Sequence, residues 1–306
     1  MQLPGRALRC AALAVLCACG SRPPAHDAAA SAVASAPNSA PVAALQFTAS
    51  ADGVPIAWRQ YGRGRTAVVL IHGWATDSGI WRAQLAALAA YYSVVTLDLA
   101  GQGASGAGRQ AWTLAQFAQD VAAVAAKLSS PQIVLVGHGL GGPVALAAAP
   151  LVGARLRGII GVETFRTMGL SPPLASKLDH ELQPFRADYP GAVRQFVSGT
   201  LFLAQADPAQ VRFVSDLMAH TPADRALAEL TELNRLDYAT LLPAVKVPIV
   251  VIDSDLGGAV DAIRLQHAAA RVRVIGLVGA DSFAMLDDAQ RFNATLLPEL
   301  ASLATQ

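Results

Sequence analysis

Cysteine is nearly missing: the 306 residues contain three, Cys10, Cys17 and Cys19, all within the first nineteen positions. Beyond residue 19 the chain therefore has no thiol pair for an internal disulfide, no thiolate nucleophile and no cysteine metal site. Charge is sparse as well, at 15% against 53% hydrophobic residues, and the net +1 comes with no clustered basic stripe, which argues against a nucleic-acid partner. Six histidines, His26, His72, His138, His180, His220 and His267, fall in separate segments without an H-E-x-x-H pattern, so no metal site is expected. Neither a Walker nor a dinucleotide fingerprint occurs, GHGLGG at 137–142 matching neither, and no cofactor is expected. Internal repeats are also missing, which excludes a solenoid.

The amino terminus has a pattern of its own. Arg6 and Arg9 precede a short apolar run, Ala11 to Ala18, which is the arrangement of a secretory signal and too short for a spanning helix. Leu16, Cys17, Ala18 and Cys19 resemble the lipobox of bacterial lipoproteins, with Cys17 where Ala or Ser is more usual. That resemblance implies a signal peptide over 1–18 and an acylated Cys19, with enough acyl chains for stable membrane attachment. Loss of Arg6 and Arg9 turns the count of +1 into −1. Gly20 and Ser21 do not resemble the Asp-containing inner-membrane retention signal, which points to the periplasmic face of the outer membrane. Residues 19–41 are rich in Ala, Ser and Pro and poor in large apolar side chains, the composition of a disordered tether.

From Leu45 the chain becomes periodic, with ample apolar material for one domain over 42–306. Pro55–Gln60, Ala67–Ile71, Ser93–Leu97, Gln132–Val136, Leu156–Val162, Pro248–Ile252 and Val272–Ile275 read as short strands, several apolar on both faces. Helical segments alternate with them. Ile80, Trp81, Leu85 and Leu88 share one face, and Thr113 is placed to cap a helix carrying Leu114, Phe117, Val121, Val124 and Leu128. The alternation predicts an α/β fold, a mostly parallel sheet flanked by helices. Between Val162 and Pro248 the helical periodicity runs without a strand, which predicts a helical lid over about 165–240.

Five landmarks occur in order: Ile71-His72-Gly73-Trp74; Asp98 to Ser105; Gly137-His138-Gly139-Leu140-Gly141-Gly142; Asp253-Ser254-Asp255; and Ser282 to Leu286 before the last helix. In these the chain from about 45 to 304 resembles the α/β-hydrolase superfamily, in particular its lid-bearing serine esterases. The resemblance implies an α/β-hydrolase fold and a Ser-His-Asp site. It also marks two departures. Gly139 stands where the elbow carries its nucleophilic serine, and Ser282 stands where the loop after the last strand carries the histidine. Asp255 matches the acidic member, with Asp253 as the lesser candidate, and the backbone N–H groups of Trp74 and Leu140 match the oxyanion donors. His138 and His72 are read as supports of their turns. Asp281 is too weak a base to replace the histidine unless burial raises its pKa.

Two functions follow as expectations. One is an inactive or strongly impaired hydrolase homologue, anchored at the envelope, that binds a small apolar ligand or an envelope protein. The alternative is a hydrolase of ester-like substrates working by a non-standard mechanism, with a carboxylate from Asp255 or Asp281.

Overall fold

The structure, a computed structural model, describes residues 43–171, 173–256, 258 and 261–305. The expected signal peptide at 1–18 and the acylated Cys19 with its tether at 19–41 lie outside the described residues. Eight strands form one sheet: β1 (Gln46–Ala49), β2 (Pro55–Tyr61), β3 (Thr66–Ile71), β4 (Ser93–Leu97), β5 (Gln132–His138), β6 (Leu156–Val162), β7 (Ile249–Ser254) and β8 (Val272–Leu277). Their spatial order is β1-β2-β4-β3-β5-β6-β7-β8. β1 and β2 are antiparallel to their neighbours, and the strands from β4 to β8 run parallel.

All six residues of β3 are buried, as a strand covered on both faces requires. Alternate side chains serve different cores. Ala67, Val69 and Ile71 pack with Phe117, Val121 and Val124 of α2 (Leu114–Lys127) and with α3 (Gly141–Val152). Val68 and Leu70 pack on the other side, with α1 (Leu85–Ala89) and a long C-terminal helix through Phe292, Leu296 and Leu300. Thr113 caps α2 in a capping box with Gln116. The helical face expected before Tyr91 is split in two: Asp77 caps a 3₁₀ turn over Ser78–Trp81, and α1 follows only at Leu85.

The lid consists of α4 (Ala175–Ala187), α5 (Tyr189–Phe196), α6 (Pro208–Ala219), α7 (Ala223–Asn234) and α8 (Tyr238–Leu241). After α5 the chain widens into a π-helical turn over Val197–Leu201, where the Ser198 hydroxyl donates back to Arg194 O. The remaining helices are α9 (Ala262–Ala268), α10 (Ala284–Asp287) and α11 (Ala289–Ala304).

The strand order marks a candidate position for a ligand. From β3 the chain steps to β4 on one side and then to β5 on the other, so the connections diverge between β3 and β5. A crevice beyond the carboxyl ends of strands at such a reversal is the favoured ligand position of open α/β sheets. Trp74 follows β3 and Gly139 follows β5, one on each side of this reversal.

Candidate active site

The elbow begins at Gly137, where a Cβ would overlap the Gly141 carbonyl and lie 2.6 Å from Gly142 N. Only glycine allows β5 and α3 to approach this closely. Gly139 has a φ of +50°, and its N–H donates to Val162 O at 3.0 Å. Its carbonyl accepts from Gly142 N at 3.1 Å and from the Thr164 hydroxyl at 2.8 Å. A Cβ on Gly139 would meet only Gly73 Cα, at an ordinary 3.8 Å. The turn thus keeps a left-handed conformation, which glycine adopts without strain, together with room for a side chain that the residue does not have. That contact also brings the turn after β5 against the turn holding Trp74, so the Leu140 and Trp74 N–H groups lie on two turns that touch.

Both neighbouring histidines are committed to these turns. His138 Nε2 donates to Ser282 O at 2.9 Å, while Nδ1 sits so close to Gly73 that a Cβ there would lie 2.7 Å away. Burial between Trp81 and Phe283 lowers its pKa to about 4, so the ring is neutral at pH 7. His72 Nδ1 donates to Gly73 O at 2.9 Å and Nε2 accepts from Leu99 N at 2.9 Å. It joins the turns after β3 and β4, and burial lowers its pKa as well.

Ser282 is half-buried on the loop after β8. Its N–H donates to Leu201 O of the lid's π turn at 3.0 Å, and its carbonyl accepts from His138. Asp255 is exposed and accepts the Gly279 N–H at 2.7 Å, which holds the turn after β7 to the loop that carries Ser282. Asp253 lies buried below it, 3.2 Å from the Arg166 guanidinium and beside Glu163. Burial and the Glu163 charge push its pKa up to about 9. Asp281 accepts the Phe283 N–H at 2.9 Å with Oδ1, and among the described residues the buried Oδ2 has no donor, the Asp287 carboxyl being its charged neighbour. Burial, reinforced by the Asp287 charge, raises this carboxyl to about 7.

A family model described as Alpha/beta hydrolase family matches residues 68–295. The chain belongs to the α/β-hydrolase family. Among curated relatives, the pimeloyl-[acyl-carrier protein] methyl ester esterase of Serratia marcescens is 30% identical over 215 residues, covering 66% of this chain and 80% of that protein. The enzyme of the same name from Edwardsiella ictaluri is 28% identical over 198 residues, covering 62% and 75%. An esterase from Exiguobacterium antarcticum shares the fold with a TM-score of 0.74 at 18% identity, covering 83% of this chain and 98% of that one. A bromoperoxidase from Bacillus anthracis has the same TM-score at 20% identity, covering 84% and 100%.

Within this α/β-hydrolase, sequence reasoning missed two groups of charged residues. Glu163 follows β6 with a φ of +49°, accepts the Ser254 N–H and pairs with Arg166 at 3.3 Å, so it fixes the ends of β6 and β7. Its signal in the sequence was a charged residue directly after a buried strand. The other group comes from the lid: Glu229 and Arg225 are buried on α7, above the turn that holds Trp74. Trp74 is itself gripped by the lid, its Nε1 donating to Ala226 O at 2.8 Å and its ring packed edge-on against Phe185, Tyr189 and Phe196. Surface hollows of about 450 and 570 Å³ lie elsewhere, lined by Leu242, Val247 and Arg271 and by Leu114, Pro150 and Leu236.

Proposed function

We propose that this chain holds a small ester-like or carboxylate-bearing apolar molecule in the hydrolase crevice without forming an acyl-enzyme. The observation that carries this reading is Gly139: the elbow turn has its left-handed φ and open side-chain space, but no hydroxyl. Ser282 on the opposing loop supplies no base near neutrality. What is left is a recognition half, the two turns bearing the Trp74 and Leu140 N–H groups at the start of α3, suited to a carbonyl or carboxylate oxygen. The esterase names of the curated relatives support an ester-like ligand class. Butyrate and methyl butyrate, titrated into the protein from residue 20 onward, should shift the Trp74 and Leu140 amide resonances saturably. The reading is overturned if those amides stay unmoved while the rest of the spectrum is that of a folded domain.

A second reading is supported by Asp281, next to the histidine position and raised to about 7 with one oxygen lacking a donor among the described residues. A carboxylate so tuned is a general base for direct attack of water on an ester. Turnover would then rise with pH through about 7 as Asp281 ionises, and Asp281→Asn would abolish that rise. An unchanged profile in the variant removes Asp281 from the chemistry.

The place of action belongs to the same proposal. The lipobox-like segment supports attachment through Cys19 to the periplasmic face of the outer membrane, with an envelope protein as an alternative ligand. Cys19→Ala should move the protein out of the membrane fraction. Mature wild-type protein with a free N-terminus and no acyl mass would contradict the assignment.

A further inference from the structure

We infer that Glu229 on the lid helix α7 is a positioning residue for the turn Trp74–Ala75, making the oxyanion donors depend on the seating and charge of the lid. The inference deepens the reading above, since it takes that turn as the binding element.

Four observations converge on the turn. Ala75 has a φ of +53°, a conformation that a residue with a Cβ keeps only where its surroundings enforce it. The lid supplies the enforcement. Thr221 Oγ1, just before α7, lies 3.3 Å from Ala75 O and 3.2 Å from Gln102 Oε1. Gln102 Nε2, on the loop after β4, donates to Glu229 Oε1 at 2.9 Å, so Gln102 and Thr221 link the Glu229 carboxyl to the Ala75 carbonyl. One residue earlier, Trp74 Nε1 donates to Ala226 O of the same helix. The turn is therefore held at its carbonyl and at its neighbouring indole by one stretch of lid, residues 221–229.

Glu229 is 1% exposed, and its Oε2 lacks a hydrogen-bond partner among the described residues. Two ionisable groups face it. Arg225, one helical turn away, is directed over the Trp112 ring at 5.1 Å and leaves Nη1 unpaired; Tyr189 of α5 donates its hydroxyl to Met218 O at 3.0 Å. Burial outweighs the help from Gln102, Arg225 and Ala75 and raises Glu229 to about 7. The sign follows. A raised carboxyl favours the folded state fully below its unfolded value of 4.5, and this contribution is lost as pH rises through about 7. In the same interval the charge that draws on the Gln102 amide, and through it on Thr221 and the Ala75 carbonyl, appears.

The test needs no ligand, so it separates this inference from the ligand reading. In a pH series from 5 to 9, the Trp74 and Ala75 amides and the Trp74 indole N–H should titrate together, with the midpoint of the Glu229 carboxyl carbon. Glu229→Gln keeps the shape and should flatten all three curves. Glu229→Ala should speed hydrogen exchange of the Ala75 amide by about tenfold or more, as local opening there becomes easier. Asp281, raised to a similar value, is separated by Asp281→Asn, which should leave the three curves in place. Flat curves in the wild type, or curves unchanged in Glu229→Gln, overturn the inference. If the variants fail to fold, a Glu229 carbon midpoint that differs from the Ala75 midpoint in the wild type overturns it equally. Coupled titration with no response to butyrate would sustain the inference and reject the ligand reading.

Discussion

Gly139→Ser and Ser282→His together are expected to create an acyl-enzyme that neither substitution creates alone. Gly139→Ser supplies a hydroxyl where a Cβ has 3.8 Å to its nearest neighbour, at the backbone cost of a positive φ, about 1–2 kcal/mol. The hydroxyl has no base, because His138 spends Nε2 on Ser282 O and buries Nδ1 against Gly73. Ser282→His supplies a base on a loop already tied to Asp255 through the Gly279 N–H. Joined, the pair should exceed either single by about 10²-fold or more with an activated butyrate ester, since nucleophile and base act as a unit. A double no faster than the singles, in a folded protein, would show that Asp255 or the oxyanion turns are not where a working triad needs them.

The second large effect concerns stability. Gly137→Ala should destabilise the domain by about 3 kcal/mol or more, because its Cβ would push α3 off the end of β5 at a buried, close-packed junction. Gly139→Ala, two residues on, should cost only about 1–2 kcal/mol: the space is open and the positive φ is the whole penalty. Urea unfolding of both variants checks the contrast. Equal losses would mean that the elbow has relaxed from the tight turn, and with it the argument that the recognition half is intact.

How much of this could be read beforehand differs by element. The parallel strands were legible because burial on both faces writes apolar runs such as AVVLI and QIVLV, and Thr113 announced α2 by its capping chemistry. The lid was legible as helical, but its π turn was not, because the periodicity of AVRQFVSGTLFLAQ continues past the point where Ser198 and Gly199 loosen the backbone. Gly139, Ser282, Asp255, Trp74 and Leu140 were singled out by their place among ordered landmarks. Glu229 was out of reach of such reasoning. Arg225 and Glu229 stand four apart on an amphipathic helix, the spacing of a solvated pair, and only the descent of α7 onto Gln102 and Ala75 buries them. Asp281 was legible as a residue, but its raised pKa was not, since that comes from burial that its own segment does not encode.

Intact mass after exposure to an activated butyrate ester separates recognition at this site from covalent catalysis. The wild-type protein should stay at its own mass while butyrate still shifts the Trp74 and Leu140 amides, and the Gly139→Ser/Ser282→His protein should gain one butyryl group at residue 139. A wild-type protein that gains one butyryl group, mapped to any residue in the crevice, would show that the chain already carries a nucleophile and would contradict the account.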